Sequence, residues 1–66
     1  MSSTRRTWYT YRFWYRNRVV HGGITEDPSR REREHQEKWP GGALRVVDGP
    51  MTEERAREWE RLNGYT

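Results

Sequence analysis

Six of the nine aromatic side chains in this 66-residue chain fall within the eight residues Trp8–Tyr15. Any core has to form around them, because aromatics bury far more area than small aliphatic side chains. Tyr9 to Arg16 reads as a β-strand. Tyr9, Tyr11, Phe13 and Tyr15 project to one face, and Trp8, Thr10, Arg12, Trp14 and Arg16 to the other. Only 30% of residues are hydrophobic against 35% charged, so the chain supports one small domain. A core of that size contributes roughly 3–5 kcal/mol at most. There is no cysteine to add a disulfide or a thiolate metal site. Modest stability is expected, with homodimerisation or a bound ligand as the natural supplements.

Around Asn17 the chain can turn, since Asn tolerates positive φ, and Val19–Thr25 returns as a second strand. Gly22 and Gly23 leave that strand bare, which suits either a closely approaching ligand or backbone, or a bulge. Asp27-Pro28 starts a helix, with Asp as N-cap and Pro at the first helical position. It is expected to run to Lys38 or Trp39, where Pro40-Gly41-Gly42 stops it. Its Ser29–Lys38 stretch holds no apolar residue, leaving Trp39 as the one evident anchor. Ala43–Asp48 reads as a third strand and Asp48-Gly49-Pro50 as a turn. Thr52 caps a second helix reaching Leu62, with Ala56, Trp59 and Leu62 as its buried stripe. The expected fold is a single α/β (α+β) domain over residues 8–66. It has a three-stranded antiparallel sheet and two helices in the order ββαβα, behind a flexible stretch at residues 1–7.

Charge is distributed unevenly. Residues 1–25 carry five Arg and no acid, whereas residues 26–66 carry eight basic and ten acidic side chains. Arg12, Arg16 and Arg18 interleave with aromatics, a pattern that suits phosphates and stacked bases. It also suits a solvated strand whose Arg stems cover the rings, the commoner case for such a pattern. Arg31, His35 and Lys38 share one helix face through i, i+4, i+7 spacing. That face either meets a phosphate or is simply solvated and laced with Glu–Arg pairs. No apolar run is long enough for a membrane helix or signal-peptide core, so a cytoplasmic protein without membrane contact is expected.

One stretch is more specific. Gly23-Ile24-Thr25-Glu26-Asp27-Pro28-Ser29-Arg30-Arg31-Glu32-Arg33-Glu34-His35 resembles the G-I-T-x-D-x-x-R-R-x-x-E-H signature of GIY-YIG nuclease domains. The signature joins a second strand to a first helix, where the residues themselves place those elements. His21 falls on the Tyr of the family's YIG element, and Tyr11, ten residues earlier, on the Tyr of GIY. Thr52–Glu60 resembles the family's second helix, in which an Ala is followed four residues later by the metal-binding Glu, here Glu60. The sequence departs from the family at Tyr9-Thr10-Tyr11, at His21-Gly22-Gly23, and at Glu32, where an apolar residue usually pins the first helix.

The resemblance implies an endonuclease that hydrolyses DNA phosphodiesters with one Mg²⁺ or Mn²⁺. Glu60 would hold the ion, since such ions keep several waters and bind substrate oxygens directly. Arg31 would neutralise charge on the phosphate. Tyr11 or His21 would orient or deprotonate the attacking water, and His35 would protonate the leaving oxygen or grip a phosphate. Arg12, Arg16, Arg18 and Lys38 would supply affinity for nucleic acid. Two other readings stay open: a domain of this fold that binds nucleic acid or protein without cutting, and a structural piece of a larger assembly.

Overall fold

The aromatic strand takes the centre of the sheet. In the computed structural model, which describes residues 6–65, β1 (Trp8–Tyr15) lies between β2 (Arg18–Thr25) and β3 (Ala43–Met51). Both pairings are antiparallel, and the helices α1 (Pro28–Gln36) and α2 (Glu53–Leu62) complete the order ββαβα. The expected α+β class and element order are therefore present. Residues 1–5 of the stretch expected to be flexible lie outside the described residues, while Thr7 donates a hydrogen bond to Glu26 at 2.5 Å.

The β1–β2 turn contains two residues, Arg16 and Asn17, with φ of 53° and 63°. Positive φ at both positions gives the twist that a two-residue hairpin needs. Arg16 thus belongs to the turn rather than to the strand. Register runs Trp14↔Val19 and then Phe13↔His21, so Val20 is the extra residue of a bulge.

The expected turn at Asp48-Gly49-Pro50 is instead part of β3, which continues to Met51. Opposite Trp8, Thr10 and Tyr11 stand Met51, Asp48 and Val46, so the extra residues are absorbed as irregularities. An edge strand tolerates a proline in this way because its outer side needs no ladder donor.

The two helices cover opposite faces. On one, Phe13 lies 5.2 Å from the His35 ring and 5.6 Å from Trp39. On the other, Arg12 reaches the C-terminal end of α2. Tyr11, Phe13 and Thr10 on β1 are at most 1% exposed, as is Ala56 on α2. Leu62 departs from its expected place in the α2 stripe and is 70% exposed. At about 100° per residue it points some 120° away from Ala56, whereas Glu60 lies within about 40° of it.

α1 buries no residue and ends at Gln36, short of the expected Lys38 or Trp39. Asp27 caps it by accepting from the Arg30 amide at 3.1 Å. Polar contacts replace an apolar face. The Glu32 carboxylate accepts from the Leu44 amide at 3.0 Å, and the Gln36 amide donates to the Gly42 carbonyl at 2.9 Å. Both tie α1 to β3 and its approach, so Glu32 pins the helix by hydrogen bonding.

Candidate active site

Three titratable side chains from three elements meet over the sheet. Tyr11 on β1 and His35 on α1 share a hydrogen bond of 2.8 Å between the hydroxyl and Nε2. His21 on β2 stands edge-on to His35 with ring centroids 4.8 Å apart, and its ring is 6.3 Å from that of Tyr11. Strand alternation explains the placement, since His21 pairs with Phe13 and Gly23 with Tyr11, all on the α1 face. Trp39, 5.9 Å from His35 and stacked at 6.3 Å on His21, closes one side.

Burial sets the protonation states. It pushes the Tyr11 hydroxyl above its ordinary value, with Arg31 opposing and Glu60 and Glu34 adding to the rise. Burial also lowers His21, helped by Arg31 and Lys38 and opposed by Glu60. His35 is lowered by burial, by His21 and by Arg31, against Glu34. All three groups are therefore neutral near pH 7.

Arg31 lowers and Glu60 raises the pKa of His21, and the two line separate depressions. Arg31 lines a depression with Trp8, Thr25, Asp27 and Glu34. Glu60 borders another with Glu54, Arg57 and Arg61. Arg31 is not free, since its Nε lies 3.4 Å from the Glu34 carboxylate. Tyr11, 1% exposed, directs its hydroxyl to His35 rather than to solvent.

The four basic residues assigned to nucleic acid separate. Arg12 is occupied internally: it donates to Tyr65 Oη at 3.2 Å and Asn63 Oδ1 at 3.3 Å, and lies 5.5 Å over Trp59. Its place on the α2 face, not its type, decides this. Arg16, Arg18 and Lys38 are exposed. The bare positions on β2 are filled by the chain's own aromatics. A Cβ at Gly22 would run into the Tyr65 ring, and one at Gly23 would come within 3.0 Å of the Tyr11 hydroxyl.

Among the described residues no group of three or more His, Cys, Asp or Glu forms a protein cage for a metal. Glu60 offers one carboxylate, so a hard cation held there would complete its shell with water and substrate oxygens.

Trp39 and Glu34 were not singled out as site residues from sequence. Trp39 read as a helix anchor, and the i, i+3 spacing of Arg31 and Glu34 was the available signal for their pair. No family model matches the chain, and no curated protein or solved structure is significantly similar to it. Among the described residues, no helix is long and apolar enough to cross a membrane.

Proposed function

We propose that this chain is a GIY-YIG-like endonuclease that hydrolyses DNA phosphodiesters with one divalent metal. The observation that carries the reading is the Tyr11–His35–His21 cluster, joined by the Tyr11–His35 hydrogen bond and the edge-on contact of the two imidazoles. His21, neutral at pH 7, accepts a proton from the attacking water. Tyr11 orients His35. Because its pKa is lowered, His35 serves as a hydrogen-bond donor to a phosphate oxygen rather than as a proton source. Arg31 leaves Glu34 to meet the phosphate, where developing charge favours the exchange. Glu60 holds Mg²⁺ or Mn²⁺, which supplies Lewis-acid polarisation of the phosphate when bound. The leaving oxygen takes its proton from solvent. A cytosolic setting belongs to the same proposal.

Plasmid DNA and a single-stranded circular DNA, each incubated with and without Mg²⁺ or Mn²⁺, test the reading beside a Glu60→Ala control. Nicked or linear product is expected only with metal and Glu60 together. Both DNAs intact throughout, or equal cutting by Glu60→Ala, would overturn it. A second reading, binding without cutting, is favoured by the Arg31–Glu34 pair, which occupies the phosphate-neutralising cation. Binding to DNA in the absence of any cutting would select it.

A further inference from the structure

Three exposed cations at the hairpin end of the sheet each lie over an aromatic ring. Arg16 sits 5.1 Å from the Tyr15 centroid, Lys38 5.1 Å from Trp39, and Arg45 5.3 Å from Trp14. Three different segments bring these pairs together. Trp14 and Tyr15 end β1, Ala43 of β3 pairs with Trp14, and Trp39 packs on the adjacent Phe13. Arg18, opposite Tyr15, adds a fourth cation. None of the four takes part in an ion pair among the described residues, where the pairs lie within the helices. Residues 12–25 and 39–47, which form most of this end, contain no acid. The three rings are only partly covered.

Charge alone would suit any phosphate backbone. The rings are the discriminating feature, because an aromatic side chain gains most from a base face, and a duplex keeps its base faces stacked inside. Geometry adds a second constraint. Trp14 lies on the α2 face of the sheet and Trp39 against Phe13 on the α1 face, so a ligand touching both must bend around the end. A duplex, stiff over about 150 base pairs, resists that bend, whereas a single strand does not.

We propose that the hairpin end binds single-stranded nucleic acid, with phosphates on Arg16, Arg18, Lys38 and Arg45 and bases stacked on Trp14, Tyr15 and Trp39. The proposal deepens the nuclease reading by naming an unpaired strand as the substrate class. Arg12, spent on Tyr65 and Asn63, takes no part.

The test is fluorescence anisotropy in metal-free buffer with labelled oligothymidylate, oligouridylate and a duplex, each of about 15 nucleotides to fill one site. Single strands are expected to bind about tenfold or more tightly than the duplex at equal salt, and to quench tryptophan emission. Tyr15→Leu should weaken single-strand binding by about fivefold or more. Arg16→Gln should lower the log–log salt slope by about 0.7. The two single-strand arms decide between DNA and RNA. Equal or tighter duplex binding would overturn the proposal, as would absence of quenching or of any single-strand binding at low salt. So would a folded Tyr15→Leu that binds normally while Arg16→Gln is weakened; if that variant fails to fold, wild-type quenching decides. Because no metal is present, the outcome is independent of cutting. Cleavage of plasmid without strand binding would sink this proposal alone, and strand binding with plasmid and single-stranded circle both left intact would sink the nuclease alone.

Discussion

At Tyr11 a hydroxyl that would be costly to bury unpaired is satisfied by His35, so the same bond stabilises the sheet–helix contact and orients the imidazole. Tyr11→Phe removes that donor–acceptor pair while keeping the ring. A loss of about 1 kcal/mol in urea-measured stability is expected. An unchanged stability would mean that water replaces the hydroxyl. Gly22 makes the complementary case, because the Tyr65 ring occupies the space where a side chain would stand. Gly22→Ala is expected to cost about 1–3 kcal/mol by overpacking. The double variant with Tyr65→Ala should recover part of that loss, and strictly additive losses would show that the ring does not rest there.

α1 is an unusual element, since nothing on it is buried and five of its nine residues are charged. Helices of nine residues are marginal alone, so its place depends on Asp27 at one end and on Glu32, His35 and Gln36 against the sheet. Glu32→Ala strips the Leu44 amide of its acceptor at the edge of β3. Destabilisation of about 1–3 kcal/mol is expected, as for a hydrogen bond to a charged group. Hydrogen exchange resolves it further: the Leu44 amide should lose protection out of proportion to the amides of β2. Uniform change across the sheet would assign Glu32 only a general role.

The whole molecule depends on keeping its titratable centre neutral. His21 and His35 have lowered pKa values in the folded state, so below about 6.5 the unfolded chain takes up protons that the folded chain refuses. Stability is therefore full above that point and lost as pH falls toward the folded values. Tyr11, raised, acts in the opposite sense: its contribution is full below about pH 10 and is lost as pH rises beyond it. Urea midpoints measured from pH 5 to pH 11 should trace a plateau bounded on both sides. His21→Asn should shallow the acid limb. A midpoint that stays constant between pH 7.5 and 5.5 would contradict the part-buried, neutral assignment.

Local chemistry was legible in the sequence. The alternation of Tyr9–Tyr15, the Asp27-Pro28 and Thr52 caps and the turn at Asn17 depend on neighbours a few residues away, and each leads to the element observed. Tertiary structure alone decided what those elements do with their side chains. Arg12 and Arg16 are the same residue type with the same parity on one aromatic segment, yet only Arg12 meets Asn63, Tyr65 and Trp59, because the C-terminal end of α2 crosses the sheet at Arg12 whereas Arg16 lies in the hairpin turn. Leu62 looked like core and is exposed, since the α2 face that packs is centred on Ala56 rather than on the most apolar residues. Asp48-Gly49-Pro50 carries every mark of a turn but stays within β3, because β1 offers Thr10 to Asp48 and Trp8 to Met51 on either side of the irregularity. Burial, too, cannot be read from residue types: His21 and His35 are neutral because Tyr11, Phe13 and Trp39, distant in sequence, close around them.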